Sequence, residues 1–217
     1  MHRRWGMVVA ALLMVTGCSS GHASSKRTAQ DIFRVALANL DKEPRVRVVI
    51  GDKLAPSGLS KVDASFHDGE VNLVRTYPLG SEHVRVVGGF ASVYSPRALL
   101  QAWYPRQTPE WLDYNANRWV NAGADGAKQF TLSETVSFMN QFSISPKAGY
   151  SKGTRDGHPV YVLTVHDVDR GEIRMDVAVD GNPRLLHTEN VTGTFTEDFT
   201  QYGTTPPVPP PREGVAP

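Results

Sequence analysis

Cys18 is the only cysteine in a chain of 217 residues. A lone thiol can act as a nucleophile or a metal ligand, but each role needs partners: a histidine base, or further ligands at set spacing. Seven histidines are present. His2 and His22 lie near the start, while His67, His83, His158, His166 and His187 are scattered along the rest. None forms H-x-H or H-E-x-x-H. Two glycine-framed runs, Gly17 to Gly21 and Gly153 to Gly157, have the outer spacing of a nucleophile elbow. The first sits beside Cys18 and the second in a hairpin, and neither precedes a helix, as an elbow must. Glu172, Asp176 and Asp180 recur every four residues with Arg174 among them, which reads as a solvated strand face of mixed charge. No catalytic residue, metal or cofactor is expected, and the chain does not read as an enzyme.

Cys18 is explained by what precedes it. Arg3 and Arg4 give a positive start, Gly6 to Met14 is apolar, and Val15-Thr16-Gly17 leads into Cys18. An apolar run of about nine residues is too short to cross a bilayer, which takes about 20. The arrangement is that of a secretory signal. Val15-Thr16-Gly17-Cys18 resembles the bacterial lipobox. That resemblance implies cleavage after residue 17, lipidation of Cys18 by diacylglycerol and palmitate-type acyl chains, and a place on the extracytoplasmic face of the cell membrane. Residues 18–27 then read as a flexible tether. Several acyl chains on one residue suffice for stable attachment. A lipidated thiol forms no disulfide, so the domain beyond must hold itself together by its core.

Loss of residues 1–17 removes Arg3 and Arg4 and takes the formal charge from +1 to −1. A near-neutral chain lacks the clustered basic face that nucleic acid requires. Residues 204–217 are proline-rich and read as a disordered, extended tail. Such a tail can also serve as a ligand for a partner, here an envelope protein. Residues 28–203 suit a single domain with one good core, expected to be monomeric.

Thr28 to Asp31 has the cap and acid of a helix start, and Ile32, Val35, Ala36 and Leu40 recur at helical spacing until Pro44. From Arg45 the period changes to two. Val62, Ala64 and Phe66 share one face of a strand, Asp68-Gly69 turns it, and Val71 to Tyr77 returns. Glu82 to Val87, Gly88-Gly89 and Phe90 to Tyr94 continue the meander. The middle of the chain is aromatic. Pro96 to Tyr104 reads as a short helix that Pro105 and Pro109 end. Asn117 to Asn121 reads as a short strand. Thr131-Leu-Ser-Glu134 is a capping box opening a helix to about Phe142. After Gly149, strands resume: His158 to His166 is apolar on both faces and reads as central, Glu172 to Asp180 alternates, and Arg184 to Val191 and Thr194 to Tyr202 follow. The fold class is α+β: a long antiparallel sheet that must curl, with helices on its concave side.

The lipobox, the helix from Thr28, the meander, the helical insert and the closing strands together resemble the bacterial LolA/LolB-like superfamily. The nearer likeness is to the LppX/LprG group of actinobacterial cell-wall lipoproteins. It is carried by Gly-Gly-Phe-Ala-Ser-Val-Tyr94, Asn-Arg-Trp-Val120, Asp-Gly-His-Pro-Val-Tyr-Val-Leu163, Val-Ala-Val-Asp-Gly-Asn-Pro-Arg-Leu-Leu186 and Asp-Phe-Thr-Gln-Tyr-Gly203. The resemblance implies a half-open barrel around an apolar cavity and a lipid or acylated small molecule as partner, bound and then carried or presented. Strand parity and the aromatic insert place Phe66, Leu73, Val84, Val86, Leu99, Trp103, Phe138, Phe142, Val162, Met175 and Val177 around that cavity. The same sequence with a filled core would instead suit an extracytoplasmic sensor or protein-interaction module.

Overall fold

The computed structural model describes residues 27–53, 55, 57–139, 142, 144, 148–167, 171–179, 181–212 and 217. The expected signal, Cys18 and the tether up to residue 26 lie outside these residues. Helix α1 (Ala29–Asp41) opens with a capping box: Thr28 Oγ1 accepts from the Asp31 amide at 3.1 Å, and Asp31 Oδ2 accepts from the Thr28 amide at 3.2 Å. Two of the amides that a helix start leaves open are thereby satisfied. Ile32, Phe33, Ala36, Leu37 and Leu40 form its buried stripe. Val35, expected on that stripe, faces outward.

Five strands follow: β1 (Arg45–Asp52), β2 (Lys61–His67), β3 (Glu70–Tyr77), β4 (Gly80–Val87) and β5 (Phe90–Tyr94). Asp68 and Gly69 have φ of 51° and 87°. This is the left-handed pair that matches the twist of a two-residue hairpin, and Asp-Gly adopts it readily. The middle segment holds α2 (Arg97–Trp103), α3 (Pro109–Asn115), β6 (Trp119–Ala122), α4 (Gly123–Ala127) and α5 (Leu132–Met139). Pro109, expected to break a helix, instead starts α3. At the first helical position its missing N–H has no partner to lose, and Thr108 Oγ1 caps the Trp111 amide at 3.2 Å. The last five strands are β7 (Tyr150–Arg155), β8 (His158–Asp167), β9 (Gly171–Ala178), β10 (Leu185–Asn190) and β11 (Phe195–Thr200).

All eleven strands form one antiparallel sheet in the order β6-β5-β4-β3-β2-β1-β11-β10-β9-β8-β7. β1 is the seam between the two meanders, pairing with β2 on one side and β11 on the other. The sheet ends at β6 and β7 and stays open. One buried cluster runs from Ala91 of β5 to Leu163 and Val165 of β8 and includes α1. Laid flat at about 4.8 Å per strand, eleven strands would spread over about 50 Å. A single core reaching both wings therefore requires the sheet to curl around it. α1 lies on that concave side, against α5, β9 and β10. The architecture is the expected curled, half-open LolA-like sheet.

Three further expectations change. β8 is second from the edge, next to β7, and not central. Asp176 does not lie on a solvated face: at 1% exposure it sits under Arg155 Nη1 and Arg174 Nε, each at 3.2 Å. The expected disordered tail is extended but tied down over residues 204–212. Gln201 and Gly203 take φ of 54° and 72°, and the chain then crosses the outer face of β2–β4.

Candidate functional site

At the β6 end of the sheet, the α2–α3 hairpin and α4 stand over the inner face without filling it. α2 and α3 make a small core of their own from Leu100, Leu112 and Ala116, with Trp111 against it. Arg97 Nε bonds Asp113 Oδ1 at 2.6 Å and pins the two helices together. The Asn117 amide bonds Ser95 O at 2.9 Å and closes the base of the hairpin. The hairpin is thus a unit with its own packing, and it meets the sheet at its foot and through Trp103, which packs on Tyr77.

Beneath it lies a cleft of about 630 Å³. Its floor is the inner face of the β3–β6 wing: Arg75, Glu82, Val93 and Val120. Leu100, Trp103, Tyr104, Gln107, Trp111 and Asn115 form one wall, while Asp125, Gly126, Gln129 and Phe130 form the other. Arg75 Nη1 meets Glu82 Oε2 at 3.2 Å, and the Arg75 guanidinium lies 5.0 Å from the centre of the Phe130 ring. Glu82 is buried and Arg75 only partly so. The aromatics meet edge to face, Tyr104 on Trp111 at 5.5 Å and Tyr77 on Trp103 at 5.2 Å, the arrangement their ring quadrupoles favour. Burial pushes the Tyr77 phenol above its usual range against the opposing field of Arg75, so it stays a neutral phenol at physiological pH.

Of the residues expected around a cavity whose side chains are described, Trp103 alone lines this cleft. Phe66, Leu73, Val84, Val86, Phe142, Met175 and Val177 come together, but as core packed under the helices. Met175 and Val177 are 0% exposed, so neither touches a void that admits water. Leu99 is buried in α2. Val162 is on the opposite face. It pairs with Asp176, which has the outward parity and is covered there by Arg155 and Arg174, while Leu163 pairs with inward Met175. The side chain of Phe138 lies outside what is described. The expectation missed Arg75, Glu82 and Phe130. A signal for the first two existed: Arg75 shares the inward parity of Val71 and Leu73, and Glu82 that of Val84 and Val86. A charged pair on an apolar register marks a polar spot inside.

The cleft is concave, aromatic on one side, and carries a few convergent polar groups, which is the make-up of a small-molecule site. Among the described residues no group of His, Cys, Asp or Glu is placed to hold a metal ion. No helix among them is long and apolar enough to cross a membrane.

An open curled sheet with helices on its concave side defines a LolA-like fold. The chain is similar in structure to LprF from Mycobacterium bovis, with a TM-score of 0.50 over 84% of this chain and 96% of that one, at 13% identity. The Mycobacterium tuberculosis lipoprotein LppX aligns over 83% of this chain and 97% of its own, at 16% identity and a TM-score of 0.49. The fold assignment rests on the LprF likeness. No protein-family model matches the sequence, and no curated protein sequence matches it significantly.

Proposed function

We propose that this protein is an extracytoplasmic lipoprotein, held at the cell membrane through Cys18, that binds a lipid or lipid-linked molecule and carries or presents it. The observation that supports this reading is the cleft of about 630 Å³ under the α2–α3 hairpin, within the size range of ligand pockets. Its lining suits an amphiphile. Val93, Leu100, Val120, Phe130 and the Trp103–Trp111 wall would take acyl chains, at about 25 cal/mol for each Å² of apolar surface buried. The Arg75–Glu82 pair would hold the polar end. Loading would be passive, and the hairpin with its separate core is the element that would swing to admit a chain.

Native mass spectrometry of the protein from its own host, followed by organic extraction, tests this. A discrete added mass that extracts as lipid is expected, and Trp103→Glu should lose it while the protein stays folded. Unchanged occupancy in that variant would remove the ligand from the cleft. A second reading, an interaction module, is favoured by one specific observation: the β7–β11 inner face is filled, while Trp103, Tyr104 and Tyr114 stand exposed on the hairpin. A clean unloaded mass, with no uptake from host lipids, would support it.

A further inference from the structure

The proline-rich segment is not a passive tail. Along residues 204–212, Thr205 and Val208 are buried, at 3% and 6% exposure, and Pro211 is half-buried. Every other residue from 204 to 212 is exposed. A burial repeat of three is the signature of a polyproline II helix lying on one edge, because that helix has three residues per turn. The sequence enforces the conformation. Prolines at 206, 207, 209, 210 and 211 fix their own φ and hold the residues before them extended.

The surface beneath it matches a chain of that kind. Polyproline II makes no internal hydrogen bonds, so its carbonyls need donors. His67 Nδ1 donates to Thr205 O at 2.7 Å from β2, and Arg85 Nη1 donates to Pro210 O at 3.2 Å from β4. Thr205 Oγ1 donates to Phe66 O at 2.6 Å, and the Val208 amide to Glu70 Oε2 at 3.4 Å. Arg85 in turn lies 4.7 Å from the centre of the Trp119 ring, and Trp119 packs on Tyr94 at 5.9 Å. Aromatic side chains beside carbonyl-directed donors are how proline-rich segments are read.

The resident segment fits imperfectly at one end. Arg85 Nε is buried with no hydrogen-bond acceptor among the described residues. Burial disfavours the charge of Arg85, and Arg212 adds to this by bringing a second positive charge close to it. An occupant with a carboxylate at that position would relieve both faults.

We propose that the outer face of β2–β4, with Arg85 and Trp119, is a docking groove for a proline-rich, acidic segment of a partner protein, and that residues 204–212 are its resident, displaceable occupant. The inference is independent of the cleft on the other face.

The test uses the full chain and synthetic nine-residue peptides of the 204–212 sequence, followed by the NMR signal of the Trp119 indole. The peptide carrying Arg212→Glu should bind at least tenfold more tightly than the peptide of unchanged sequence, and hydrogen exchange at the Val208 amide should speed up as the resident segment leaves. The peptide carrying Val208→Asp should not bind. The resident segment competes at a local concentration in the millimolar range. For that reason the full chain carrying Val208→Asp, whose own segment is loosened, should bind the unchanged peptide at least tenfold better than the wild-type chain does. Failure of that variant to bind either peptide would overturn the proposal. So would equal affinity for the Arg212→Glu and unchanged peptides, or binding that ignores Val208→Asp in the peptide.

Discussion

The two wings of the sheet share an alternation and differ in their cover. On the β7–β11 wing, Leu163, Ile173, Met175, Val177 and Leu185 face a core that includes the thirteen-residue α1. On the β3–β6 wing the inner face meets α2, α3 and α4, of seven, seven and five residues. Helices so short cannot lay a long apolar stripe across a sheet. α2 and α3 bury Leu100, Leu112 and Ala116 against each other and leave the floor of the cleft open. Strand pattern does not separate a filled wing from an open one. The length and stripe of the element that crosses each wing does.

Substitutions on each wing test that contrast. Met175→Ala on the filled wing should cost about 2–5 kcal/mol in urea unfolding, because the removed atoms leave a cavity in packed surroundings. A charged residue there should prevent folding, so it is no test of ligand uptake. Arg75→Met on the open wing should cost about 1–3 kcal/mol, since Glu82 loses its partner in a buried setting, and it should reduce the retained lipid mass. Trp103→Ala should cost about 1 kcal/mol, most of it the edge-to-face pair with Tyr77, yet remove most of the ligand. If Trp103→Ala destabilised as much as Met175→Ala, the hairpin would be part of the main core, and the contrast would fail. Thr28→Ala, which takes away the cap of the helix covering the filled wing, should cost about 1 kcal/mol.

The smallest effect is expected midway between the wings. The Arg47 guanidinium, 2.8–2.9 Å from the Asp63 carboxylate, holds that carboxyl below its usual range. A depressed carboxylate stabilises the fold above the unfolded value, about pH 3.9, and the contribution is lost as pH falls through the lower folded value. Asp63→Asn should therefore be less stable than the wild type at pH 6, with the gap closing below about pH 4 in a series of urea midpoints.

Much of the fold was legible in the sequence because its signals are local. The cap at Thr28, the Asp-Gly turns and the alternation of β2 and β9 each act over a few residues, and each element stands where those residues put it. The parity of β8 was not legible. Val160, Val162, Leu163 and Val165 are apolar on both faces, so only pairing with β9 decides which face turns inward. Arg75 and Glu82 were half legible. Their parity is plain, but their meeting needs the β3–β4 register, in which Arg75 pairs with Glu82.

The curled meander, the helix that covers one wing and the turns that join the strands can be read along the chain, because backbone preference and side-chain period are properties of neighbouring residues. That Met175 and Val177 are core while Val93 and Val120 floor a cleft, and that the proline-rich segment lies on the outer face, follows from the packing of distant elements. Volume and cover depend on which distant elements cross the sheet. No short stretch of chain carries that information.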